Sequence, residues 1–177
     1  MKRITTLMLA FAGSLLLLSA QPNDFPAQWA GQWQGELVIS TVQGEQQRLP
    51  MELHILPVAD STYTFTIIYG EPTPDNTRPY LLYPVDRTKG RYVIDEQNEI
   101  LLDNFLINGK FYCRFEVMGS LLLTTLEQQG EQLIYEIIVG PLEPIRMSGD
   151  TTVDEEEIPP VGSYQINVQQ RAILSRK

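Results

Sequence analysis

The chain has 177 residues, with 22 acidic against 13 basic side chains and a formal charge of −9 at neutral pH. That balance argues against nucleic acid, whose phosphates are gripped by cationic surfaces that release counterions, and against docking on anionic lipid. Cys113 is the only cysteine, so no disulfide forms within one chain, and the fold rests on a core that a chain of this length can bury unaided.

Residues 1–20 read as a secretory leader. Lys2 and Arg3 supply the positive start, Leu7 to Leu18 an apolar stretch, and Ser19-Ala20 small residues for cleavage. The stretch is short for a membrane span of about 20 residues, and polar Gln21 to Asp24 follow it. We expect cleavage after Ala20, export to the periplasm or beyond, and no stable membrane anchor afterwards. Gln21 stands where a lipid-bearing cysteine would have to be. Residues 21–177 then form a single domain.

From Trp33 onward the apolar residues recur with a period near two, the mark of half-buried strands. Trp33, Leu37 and Ile39 alternate with Gln34, Glu36 and Ser40, and after a turn at Gln43 to Glu45 come Met51, Leu53 and Ile55. The third strand sets Tyr63, Phe65, Ile67 and Tyr69 against Thr62, Thr64 and Thr66. A turn-rich loop, 70–76, separates it from strands predicted at about 78–85, 91–95, 100–107, 110–118, 121–128 and 132–139. Asn108-Gly109 is the strongest hairpin signal, because a two-residue type I′ turn needs positive φ at both positions. The segment 141–162, with its acidic run Asp154 to Glu157 and Pro159-Pro160, predicts a long charged loop before a last strand at about 164–175.

Ten strands joined mostly by short turns predict an all-β antiparallel meander. It either closes into an up-and-down barrel or splits into two packed sheets, and closure is favoured because it removes exposed edges. The runs Ile100 to Leu102, Leu121 to Leu123 and Ile137 to Val139 are apolar on both faces. One face suits the interior and the other the long loop or a second subunit.

Gly31-Gln32-Trp33 opens the first strand and resembles the Gly-x-Trp signature of calycins, the group of lipocalins, fatty-acid-binding proteins and avidin-like barrels. The resemblance implies a barrel closed at one end by Trp33, with a basic residue of the last strand over the indole ring; Arg171 is the expected partner. The chain departs from the group in having only a tight turn after the first strand, where lipocalins carry a lid loop. Haem-binding ten-strand relatives use a histidine that has no counterpart near this C-terminus.

The chemistry-bearing residues are few. His54, the sole histidine, alternates away from Met51, Leu53 and Ile55 and is expected to be solvated. Cys113 runs in step with Phe111, Phe115 and Val117, so it is expected to be a buried, inert thiol. No nucleophile elbow, paired-histidine metal motif or phosphate loop occurs, and no cofactor or metal is implied. The acidic run lacks the spaced ligands and glycine of a calcium loop. The aromatics Tyr63, Phe65, Tyr69, Phe111, Phe115 and Tyr135 share the favoured faces of their strands. A packed core accounts for them, and so does an aromatic cavity with polar tips, the usual make-up of a small-molecule site. With Trp33 and Arg171 they form the candidate site of a ligand-holding barrel. The other reading is a structural or interaction protein of the cell envelope with a filled barrel and a contact between copies of the chain. An enzyme is the least supported of the three.

Overall fold

The computed structural model describes residues 24–177, and the leader assigned above lies outside the described residues. Ten strands make the barrel wall: β1 (Gly31–Thr41), β2 (Gly44–Ile55), β4 (Thr62–Tyr69), β5 (Thr77–Asp86), β6 (Arg91–Asp95), β7 (Leu101–Ile107), β8 (Lys110–Val117), β9 (Ser120–Gln129), β10 (Gln132–Pro141) and β15 (Val168–Arg176). The short β3 (Pro57–Ala59) extends the edge of β4. Each wall strand pairs antiparallel with the next in chain order, β15 returns to pair with both β10 and β1, and β2 pairs with β4 across the β3 excursion. The wall is therefore a closed antiparallel barrel with no free border among these strands, and the sandwich alternative falls.

Alternation settles which side chains enter the barrel. Trp33, Leu37, Met51, Leu53, Ile55, Leu82, Leu133 and Leu174 are essentially inaccessible, and residues one place along the same strands face water. Asn108 and Gly109 both take positive φ, at 49° and 77°, as the type I′ turn requires.

The segment 24–30 seals one end. Phe25 and Trp29 are fully buried beneath the barrel. The Phe25 ring meets Trp29 and Tyr92 edge-on at 4.7 and 4.9 Å, and lies 4.7 Å from the Phe111 ring inside. Backbone groups of this plug are also claimed by the wall: Tyr92 Oη donates to the Phe25 carbonyl at 3.3 Å, and Trp33 Nε1 donates to the Trp29 carbonyl at 2.9 Å. Burying such a phenylalanine contributes about 2–3 kcal/mol, which makes the plug part of the core.

The segment expected to be a long charged loop is instead a β-hairpin arm at the opposite, open end. Its ribbons are β11 (Arg146–Ser148) with β14 (Val161–Ser163), and β12 (Thr151–Val153) with β13 (Glu156–Ile158). Asp154 and Glu155 form its tip at φ 49° and 69°. The last wall strand accordingly begins at Val168, later than the sequence suggested. The second begins earlier, at Gly44.

Candidate ligand-binding site

The open half of the barrel holds a cavity of about 160 Å³. Its origin lies in strand register. Asn104 on β7 pairs with Cys113 on β8, which pairs with Thr124 on β9. Three short inward side chains thus occupy one level of the wall where neighbouring levels carry Phe111, Leu126 and Leu102. Phe65 and Ile67 face this gap from β4, Ile94 from β6, Phe115 from β8 and Ile137 from β10. The space matches one aromatic ring, since a buried apolar cavity of roughly 150 Å³ accepts benzene.

Polar groups gather toward the mouth. Tyr69, at the open end of β4, has its hydroxyl close enough to that of Tyr135 on β10 for the two to perturb each other, and Tyr80 on β5 feels the Glu96 carboxylate just past β6. Burial pushes the Tyr135 phenol well above its ordinary value, helped by the neighbouring tyrosines. Burial and then the Glu96 charge push Tyr80 up to about 12. Cys113 is raised to about 11 by burial, then by Asp103 and Glu96. Asn104, 1% exposed, donates Nδ2 to the Leu102 carbonyl at 2.8 Å. Among the described residues no buried side-chain polar atom lacks a partner, and no group of three potential metal ligands is assembled. The site is an apolar slot with hydroxyl, amide and carboxylate edges and no imidazole.

Comparison with known proteins yields a fold. No family model matches the chain, and no curated protein does. Its structure is similar to that of an S-type phycobiliprotein lyase from Guillardia theta, with a TM-score of 0.54 over 88% of this chain and 95% of that one, at 8% identity. An identity so low attests a shared barrel fold and carries no chemistry with it.

The eight candidate residues separate into four places. Phe65, Tyr69, Phe111, Phe115 and Tyr135 line the cavity. Trp33, fully buried, closes the plugged end, and half-buried Tyr63 packs against the core without reaching the cavity. Arg171 stands outside the barrel, 3.7 Å from Glu136 and on the rim of a shallow outer groove. The cation over Trp33 is Arg176, its guanidinium carbon 4.4 Å from the ring centroid. The physical reason is register: Trp33 pairs with Arg176, whereas Arg171 pairs with Val38 and shares the outward parity of Ile173 and Ser175. Arg176 also donates to the Ala30 carbonyl at 2.7 Å, tying plug to wall. A Cβ at Gly31 would run into this guanidinium, and Gly31 holds φ 149°, which accounts for both the glycine and the tryptophan of the Gly-x-Trp start.

His54 points outward as expected, but it is not freely solvated. Its side chain is 19% exposed and its Nε2 lies 2.7 Å from Glu52 Oε2. Lys177 bonds the other oxygen of Glu52 at 2.8 Å, and this bond, ahead of that from His54, lowers the Glu52 carboxyl pKa. Sequence reasoning missed Tyr80, Glu96 and Asn104. Tyr80 and Asn104 alternate in phase with Leu82 and with Leu102, so their direction was readable. Glu96 was hidden in an apparent turn, although Tyr92 and Ile94 point its parity inward. The two-sided apolar runs place Leu121, Leu123 and Ile138 outside, where they share a groove with Tyr164 and Ile166 of the long connection.

Proposed function

We propose that this is an exported, lipocalin-like protein that holds one small apolar or amphipathic molecule in the open half of its barrel. The observation that carries the reading is the tyrosine-edged cavity of about 160 Å³ above a sealed end. The likeness to a phycobiliprotein lyase supports it at the level of the barrel. The volume restricts the ligand, because drug-sized sites occupy about 300–1,000 Å³; a single ring or a short branched chain suits the space, with its polar end toward Tyr69, Tyr80 and Tyr135. Organic extraction and mass spectrometry of protein purified from its own host provide the test, beside a Thr124→Leu variant that fills the slot. One small molecule should accompany the first protein and be absent from the second. Equal, empty extracts from both, with no small probe displaceable from either, would refute the reading. Export is checked separately by N-terminal sequencing of the mature protein, which should begin at Gln21.

The reading as an interaction protein of the cell envelope draws on the outer wall, where Leu101, Phe105 and Ile173 are 60%, 44% and 43% exposed. Light scattering after size exclusion decides it: a strict monomer with no co-purifying protein counts against it.

A further inference from the structure

The charge of the cavity is as informative as its size. Among its lining residues stands one carboxylate, Glu96, and no lysine, arginine or histidine. Glu96 accepts from Asn98 Nδ2 at 3.5 Å, and its charge acts on the Tyr80 hydroxyl. Among the described residues it forms no ion pair, whereas Glu36, Glu45, Glu52, Glu127 and Glu136 on the outer wall each have a basic partner. A carboxylate offers about four acceptor sites, so this one, on the cavity lining, keeps acceptor capacity.

Arg78 is the cation whose field reaches Tyr69 and Tyr80. Its guanidinium is turned toward backbone carbonyls, with Nη1 donating to Asp75 at 2.8 Å and to Thr77 at 3.3 Å. At the Tyr80 hydroxyl the Glu96 charge outweighs that of Arg78, and at the Cys113 thiol the charges felt are those of Asp103 and Glu96. At Tyr69 the charge felt is that of Arg78, so the negative side of the cavity is the one that carries Glu96, its one lining carboxylate. The tyrosine rings beside Glu96 add faces that attract cations. A metal ion does not fit this donor set, since hard cations gather several oxygen ligands.

Resting on the reading of the cavity as a ligand site, we propose that it selects a small organic cation. The ligand is an aromatic or branched-alkyl ammonium of about one ring, its head at the Glu96 carboxylate and its body against Phe65, Phe111 and Leu126. The partly open position of Glu96 at the mouth leaves the ammonium some of its water, which limits the desolvation cost that a deeper charge would meet. An anionic amphipath of the same size meets an unscreened carboxylate instead.

Three probes of one shape separate the possibilities: benzylamine, protonated at pH 7, neutral benzyl alcohol, and benzoate, each titrated calorimetrically into the purified protein. Benzylamine should bind at least about tenfold more tightly than benzoate, with benzyl alcohol between them, as expected for one charge-assisted hydrogen bond gained against one repulsion. In Glu96→Gln the ratio of benzylamine to benzoate affinity should collapse to within about threefold, and in Glu96→Asp it should persist. Benzoate binding as tightly as benzylamine to the wild-type protein, while benzyl alcohol also binds, would overturn the cation preference and leave the cavity reading standing. A preference that survives in Glu96→Gln overturns the role given to Glu96. Absence of binding by all three, benzyl alcohol included, overturns both. The wild-type ranking decides the matter even where a variant fails to fold.

Discussion

At Trp33 the indole is held by two separate contacts, its Nε1 bond to the Trp29 carbonyl and the Arg176 guanidinium over its face. Trp33→Ala should cost about 3–5 kcal/mol in denaturant unfolding, as truncations of fully buried aromatics do. Arg176→Ala should cost about 1–2 kcal/mol, for a cation–π contact plus a hydrogen bond to the plug. Arg171→Ala, which loses only an exposed pair, should stay within about 0.5 kcal/mol of wild type. A reversed order for the two arginines would contradict the register of β15. This is where the sequence stopped being legible: alternation turned Trp33 inward, and the resemblance to calycins implied a basic residue of the last strand over it. The choice between Arg171 and Arg176 depends on how far that strand runs past its partner, which no local pattern encodes. Cys113 was legible as a buried thiol, and its reactivity follows from its environment. With its pKa pushed up to about 11, roughly one thiol in a thousand is ionised at pH 8. Ellman's reagent should therefore label the folded protein orders of magnitude more slowly than the urea-unfolded chain. Equal rates would mean that the cavity wall is open at β8.

Ten wall strands could be located from the two-residue period, because most have one wet and one dry face and short turns between them. The plug and the arm could not. Phe25 and Trp29 lie in a segment with no strand alternation, and only burial gives them meaning. The arm lacks a dry face: Ile145, Met147, Val153, Ile158 and Val161 are all substantially exposed, and its tip is Asp154-Glu155 where the usual signal is Asn-Gly. Its ribbons are held chiefly by their own backbone bonds, and a lone two-stranded hairpin is marginal in water. Replacing residues 146–163 by a short Gly-Ser turn should leave the far-ultraviolet spectrum of the barrel intact and shift the melting temperature by no more than about 4 °C, the equivalent of about 1 kcal/mol in a domain of this size. Loss of folding would show instead that the arm braces the open end.

Groups on the outer wall and inside the cavity together set how the molecule responds to pH. On the acid side, the Glu52 carboxyl lies below its ordinary value of 4.5 because of Lys177 and then His54. A depressed carboxyl contributes stability that is fully present above its unfolded pKa and is lost as pH falls through the folded one, so the contact between β2 and the C-terminus weakens below about pH 4.5. The alkaline side is steeper, because its groups are internal. Tyr80 rises from 10.0 to about 12, Tyr135 lies well above 10.0, and Cys113 rises from 9.0 to about 11, each with burial as the leading cause. A group whose folded pKa is raised contributes stability that is complete below its unfolded pKa and disappears as pH climbs through the folded value. Stability should therefore decline from about pH 9, where the unfolded thiol begins to ionise, and most sharply between about 10 and 12, where unfolded tyrosines are charged and the buried ones are not. Followed at 295 nm, tyrosinate absorbance of the native protein should lag that of the urea-unfolded chain across this window. It should then catch up in one step that coincides with loss of the strand signal in circular dichroism. All eight tyrosines titrating together near pH 10 with the strand signal intact would mean that water already reaches the hydroxyls of Tyr69, Tyr80 and Tyr135. The slot would then be a solvated cleft, unsuited to holding an apolar ring.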